Sequence, residues 1–350
     1  MNSIEIYQTK RSLLTFLEKL TKGLSKPRKK FYSDILYGMS KAQNTLLSDI
    51  ARALEENIDL IYTIKRLSRN SAEENDLKQV HQNYLNTLKI SIPDNPLVIV
   101  DESEIVKPYA EKMENLALVR DGAKNVLEKG YPTLNFSMAS PKKKHPLPLY
   151  NHLYSSKEDD FQSQNIEIAK GFNTVHTFLG KKKATFVMDR GYDRNTIYEY
   201  VQNIGHLNMV VVYGYGEKPM KLLTNHSIKG KDDVLRILKS YITRWRIEEL
   251  FRVQKEEFQL EKTRTMTLSS LRILYTIMNC LIGHYSLAIE KNTYHTQVVL
   301  ARARPSNNLK KIKFYLYRFI RGVSRILSFD TVGIKYFHKI ERRSNQLSLL

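Results

Sequence analysis

The chain has 350 residues, 42% of them hydrophobic, with only 10 Pro and 14 Gly, which fits a folded protein with a sizeable core and excludes a disordered tail. Lys and Arg number 56 against 36 Asp and Glu. The formal net charge of +20 opposes self-association and favours polyanions, leaving DNA, RNA and anionic membrane open. The single cysteine, Cys280, excludes an internal disulfide or a cysteine-based zinc site and fits a reducing, cytoplasmic setting.

Glu, Lys and Arg are spread through the first twenty residues, so no signal peptide is expected. Residues 1–92 read as helical throughout, with Leu13, Leu14, Phe16, Leu17 and Leu20, then Ile35, Leu36 and Met39, in helical rhythm. Lys26, Arg28, Lys29 and Lys30 surround Pro27 and are expected to mark a loop between two helices. Thr45 to Asn70 has the outline of a helix-turn-helix around Glu55–Ile58. Its second helix carries Lys65, Arg66 and Arg69, with Asp59 at its N-cap. The turn lacks the usual Gly, and a helical bundle that packs or dimerises fits as well. In both readings the basic helix favours phosphate.

Ile92 to Pro96 (IPDNP) is a linker. LVIVDES then reads as a short buried strand that delivers Asp101 at its end. A loop with a strand or short helix follows to about Gly130. Thr133–Ser140 and His145–Ser156 are two more strands, separated by the PKKK turn. Gln162–Leu179 is an amphipathic helix with Ile166, Ile168, Ala169, Phe172, Val175 and Phe178 facing inward. Ala184–Met188 is a strand with Asp189 at its carboxyl end. Asn195–Ile204 reads as a helix, Asn208–Tyr213 as a strand, and GYGEKPMKLL as a turn into irregular structure. A long helix follows from Asp232 or Val234 to about Leu260. Leu268–Ile289, the most apolar stretch, holds Arg272, Asn279 and His284 and reads as a buried core helix, not a membrane span. Leu309–Leu327 interleaves Lys and Arg with Phe and Tyr on a basic amphipathic helix, suited to nucleic acid or a membrane surface.

The long helix carries the most informative stretch, YITRWRIEELFRVQK, residues 241–255. Ile242, Trp245, Ile247, Leu250 and Phe251 form its apolar stripe, and Trp245 is expected to pack in the core. At about 3.6 residues per turn, Tyr241, Arg244 and Glu248 share one face and Lys255 returns to it two turns later. Glu249 points about 100° away from Glu248.

Tyr, two residues, Arg, three residues, Glu, six residues, Lys resembles the signature of the insertion-sequence transposases of the DDE type. Two upstream segments resemble the family as well: VDES at Asp101, followed by Lys107, and MDRGYD at Asp189. The resemblance spans about residues 97–260. It implies that Asp101, Asp189 and Glu248 are the catalytic and metal-binding carboxylates. It also implies that Tyr241, Arg244 and Lys255 hold DNA phosphates, with Lys107 and Arg190 bordering the triad as further DNA contacts. The order of strands and helices is that of the ribonuclease-H-like fold, and assigning that α/β fold, a mixed sheet flanked by helices, rests on the resemblance. The expected division is a helical domain over 1–92 for DNA binding or dimerisation, the catalytic domain over 97–290, and a basic helical region over 291–350.

Phosphodiester chemistry suits such residues. Two Mg²⁺ ions about 3.5–4 Å apart serve the nucleophile and the leaving oxygen. Mg²⁺ takes carboxylate oxygens without histidine or cysteine, and Mn²⁺ can substitute. The resemblance implies an endonuclease that binds the element's ends, cuts the DNA and joins 3′-hydroxyls to target DNA, as a homodimer on double-stranded DNA. No P-loop is present, so no nucleotide is expected, and no membrane partner. The nine histidines show no zinc spacing. A ribonuclease-H-fold nuclease without strand transfer, or a catalytically silent DNA-binding remnant, are the rival readings.

Overall fold

The structure is a computed structural model that describes residues 3–122, 124–142, 144–189, 208–212, 220–224, 226–303 and 315–334. It is an α/β protein whose mixed sheet is flanked by helices.

Five helices come first: α1 (Ser3–Leu20), α2 (Lys26–Ala42), α3 (Leu47–Ala53), α4 (Leu60–Ser71) and α5 (Leu77–Leu88). The basic cluster expected in a loop instead opens α2. Pro27 sits in the first helical turn, where its missing N–H is not needed. Arg28 is drawn inward by Asp76, with Nε 2.6 Å from Oδ2 and Nη2 2.8 Å from Oδ1. The α3–turn–α4 outline is present. Asp59 holds the N-cap position of α4, although its side chain makes no capping hydrogen bond. Arg66, expected among the phosphate-facing cations of α4, is engaged by the buried Asp34 and by Glu56. Lys65 and Arg69 remain exposed.

The sheet is built on β3 (Val126–Ala139). It pairs antiparallel with β1 (Leu97–Val106), β2 (Ala117–Asp121) and β4 (Pro146–Leu153). On its other edge β1 pairs in parallel with β5 (Thr185–Met188). The first strand is longer than expected: it continues past Asp101 to Val106, because β3 offers partners as far as Gly130. The helix α6 (Gln164–Leu179) is capped by Ser163, whose hydroxyl accepts from Ile166 N, and buries Ile168, Phe172, Val175 and Leu179. Its Phe172 ring meets Phe136 of β3 edge-on at 5.1 Å. Ile166, expected inward, lies in the exposed first turn.

The expected helix Asn195–Ile204 lies outside the described residues. The next strand, β6 (Asn208–Val212), was expected to extend the main sheet. It pairs instead with β7 (Met220–Thr224), a segment read from sequence as irregular. This antiparallel pair has a small core of its own, where Val210 and Leu222 bury against Ile237 of α7 (Lys231–Ile242).

The long helix expected to run to Leu260 is interrupted twice. After α7 comes a 3₁₀ turn, Thr243–Trp245, then α8 (Arg246–Arg252), then a π turn, Val253–Glu257. Trp245, expected in the core, is 39% exposed, with the Arg246 guanidinium 4.1 Å from its ring centre.

The apolar stretch forms α9 (Leu268–Lys291), buried along most of its length. Arg272, Asn279 and His284 each have a partner. Arg272 Nε donates to Leu153 O at 2.9 Å, Asn279 accepts from Gln254 at 2.7 Å, and His284 stacks on Phe16 at 4.4 Å. Among the described residues no helix is long and apolar enough to cross a membrane. Two helices follow, α10 (Tyr294–Arg302) and α11 (Tyr315–Leu327). The first six residues of the expected basic amphipathic helix fall outside the described residues. The apolar face of α11, including Phe319, Ile320 and Val323, lies in the core against α2 and α9, so it offers no face to a membrane. Two of its cations are engaged within the protein: Arg318 donates to Leu300 O at 2.6 Å, and Arg321, itself exposed, pairs with the buried Glu257. One hydrophobic core runs through the N-terminal helices, the five-stranded sheet, α9 and α11.

Candidate active site

The parallel pairing of β1 and β5 ends at Val100 and Met188. Asp189 is the first residue after β5, and Asp101, the next residue of β1, lies beside that exit while β1 runs on to Val106. A strand fixes its backbone through the ladder on both sides, which holds a short side chain such as Asp in a defined place. Glu248 comes from α8, which packs against β1 and β4.

Arg244 ties the three acids together. Its Nη1 lies 3.0 Å from Asp101 Oδ2 and 3.9 Å from Asp189 Oδ2, and its Nη2 lies 3.6 Å from Glu248 Oε1. Asp101 and Arg244 are both about one-fifth exposed at the side chain, whereas Glu248 is 57% exposed. Burial pushes the Asp101 carboxyl up to about 6, and nearby Asp189 and Glu102 add to the rise. The Glu102 N–H, donating to Oδ1 at 2.9 Å, and the Arg244 charge work in the opposite direction.

The two basic residues of the signature sit on the irregular turns, Arg244 in the 3₁₀ turn and Lys255 in the π turn, while Glu248 lies on the α-helical segment between them. Lys255 Nζ is held by Glu104 Oε1 at 2.7 Å and by Glu261 Oε1 at 3.3 Å. Tyr241 ends up in the last turn of α7, partly buried against the β6–β7 core. Neither Glu104 nor Glu261 belongs to the signature or its flanking segments. An offset of three along a strand puts Glu104 on the opposite face from Asp101, so the sequence held no signal that it would meet Lys255.

Lys107 takes a different place from the one expected. It is 5% exposed, and its Nζ donates to the carbonyls of Leu260, Glu261 and Thr263 at 3.2, 2.6 and 2.8 Å. Burial pulls its ammonium down to about 8. It anchors the segment after the signature and leaves no donor for DNA. Arg190 lies outside the described residues. Glu249, turned away from Glu248 as expected, is buried behind α8, 3.1 Å from Arg246 Nη1 and 3.7 Å from His145 Nδ1.

The donor set is all carboxylate oxygen, which suits Mg²⁺ or Mn²⁺. A guanidinium already stands as the cation at the point where the three acids converge. Among the described residues no three acidic, imidazole or thiol side chains stand close enough together to hold one ion. In comparisons with known proteins, no family model and no curated protein matches the chain.

Proposed function

We propose that the protein is a DDE transposase with a ribonuclease-H-like catalytic core, cutting insertion-sequence ends and joining them to target DNA. The observation that carries this reading is the convergence of Asp101, Asp189 and Glu248 from two adjacent parallel strands and a helix onto one cation within 4 Å. The Tyr241, Arg244, Glu248 and Lys255 spacing supports it.

Asp101, Asp189 and Glu248 would hold Mg²⁺, which when bound supplies an activated nucleophile and charge stabilisation at the leaving oxygen. Asp101 and Asp189, fixed by their strands, set the floor of the site. Glu248, on its own helix and more exposed, closes it from the side. Arg244 offers a planar fork that matches phosphate oxygens, and Lys255, in the π turn, a single point charge. The net charge of +20 draws the protein as a whole to DNA. Two ends must be held together for joining, so the working species is a dimer on DNA.

The test is cleavage of supercoiled DNA carrying candidate ends, with Mg²⁺, for wild type, Asp189→Asn and Glu248→Gln. The expected result is cutting by wild type alone, with DNA binding kept by both variants. Cutting by the variants at the wild-type rate would put the metal site elsewhere. A pre-cut end offered to the wild type then separates strand transfer from simple nuclease action.

A further inference from the structure

Arg244 makes its three carboxylate contacts with the two Nη groups of one guanidinium, and it takes the Asp101 oxygen, Oδ2, that the Glu102 N–H does not hold. We propose that Arg244 is the resident counter-cation of the acid cluster in DNA-free protein, and that a DNA phosphate draws it away and opens the cluster to divalent cations. This rests on the proposed phosphodiester chemistry of the same site.

Three features argue for exchange in place of a permanent ion pair. The first is chemical. A guanidinium binds carboxylate and phosphate through the same fork of parallel N–H donors, so phosphate oxygens replace the carboxylates without a change of side chain. The second is mechanical. Arg244 lies in the 3₁₀ turn Thr243–Trp245 while Glu248 lies in α8, so a change in the turn moves the cation and leaves the acid in place. A short 3₁₀ stretch within a helical run is a common site for a hinge. The third is access. The Arg244 side chain is 18% exposed and Glu248 is 57% exposed, so the cluster is open to a phosphate on the Glu248 side. A guanidinium and a divalent cation compete for the same oxygens, because each repels the other there. By linkage, DNA then raises metal affinity and metal raises DNA affinity by the same factor. The cluster is held inactive until the polyanion is bound.

The test is Mn²⁺ binding by calorimetry to DNA-free wild type, Arg244→Gln and Asp189→Asn at fixed ionic strength. Arg244→Gln is expected to bind Mn²⁺ about tenfold more tightly than wild type, ~1.4 kcal/mol, and Asp189→Asn more weakly. Equal or weaker binding by Arg244→Gln overturns the gate; if Asp189→Asn still weakens binding, the metal-site reading survives that loss. If Arg244→Gln shows no Mn²⁺ binding at all, both fall. A second measurement needs no variant: modification of Arg244 by phenylglyoxal in wild type, read by mass spectrometry. Saturating Mg²⁺ is expected to speed it several-fold as the guanidinium is displaced. An unchanged rate counts against the gate.

Discussion

Lys255 Nζ lies 2.7 Å from Glu104 Oε1, so a cation with the spacing of a phosphate ligand is held by a carboxylate from the first strand. DNA must compete with Glu104, and with Glu261 at 3.3 Å, for this ammonium. A partly exposed pair, 28% and 19% at the two side chains, is worth on the order of 1 kcal/mol, so Glu104→Gln is expected to tighten DNA binding up to about fivefold at low salt. Lys255→Ala is expected to weaken binding and to make the dependence of log affinity on log salt shallower by about 0.9. Fluorescence anisotropy across a salt series reads both. If Glu104→Gln binds no more tightly than wild type, Lys255 is not a phosphate ligand.

Lys107 gives a pH signature. Its folded pKa of about 8 lies below the ordinary lysine value of 10.5, so between those values the unfolded chain binds more protons than the folded one. Stability therefore rises with pH across that window, and at neutral pH the buried ammonium opposes folding while its three carbonyl contacts favour it. Lys107→Met removes the titration and leaves the three carbonyls without their donor, at a cost of about 1–3 kcal/mol near neutrality. The expected result is a wild-type urea midpoint that climbs between pH 8 and 10.5 relative to that of Lys107→Met. Parallel curves for the two proteins would show that Lys107 is not buried as described.

These two lysines also mark where the sequence stops being readable. Amphipathic periodicity marked the N-terminal helices, whose buried faces repeat at helical spacing, and the length of an almost wholly apolar run marked α9. The apolar runs that lead into Asp101 and Asp189 announced two strands; β1 runs on past Asp101, and the parallel ladder sets Asp101 beside the exit of β5, where Asp189 follows. Spacing alone put Arg244 and Lys255 on one smooth helix. The 3₁₀ and π turns depend on how α7 and α8 dock against separate cores, the β6–β7 pair and the sheet, which no local pattern records. Burial of Lys107 depends on free carbonyls far along the chain at Leu260, Glu261 and Thr263. The strand β7 was missed because its partner β6 has no regular relation to it in sequence, and only pairing supplies the reason for MKLLT to extend.

Gly322 is where α11 crosses α10. A Cβ there would lie 2.0 Å from the backbone oxygen of Val299, which cannot swing aside as a side chain does. Gly322→Ala is therefore expected to push the two helices apart and lower stability by about 1–3 kcal/mol. Arg325→Ala, on the exposed face of the same helix, is expected to stay within about 0.5 kcal/mol of wild type. Thermal unfolding of both variants separates close approach from helix propensity, since Ala is the better helix former at both positions.

The two ends of the described chain meet through one buried ion pair. Lys10 Nζ of α1 lies 2.8 Å from Asp330 Oδ2, just past α11, and both residues are less than 5% exposed. Tyr37 Oη of α2 donates to the same carboxylate oxygen at 2.5 Å, and Lys10 Nζ also donates to Gly333 O at 2.9 Å. Removing one charge leaves the other buried without its counter-ion, which costs about 3–5 kcal/mol, more than the pair itself contributes. Asp330→Asn keeps an acceptor for Tyr37 and strands Lys10, so it is expected to destabilise strongly. Lys10→Met added to Asp330→Asn removes the stranded charge and is expected to recover most of the loss. A double-mutant cycle in urea measures this coupling. Simple addition of the two single effects would mean that the pair is solvated and does not join the ends.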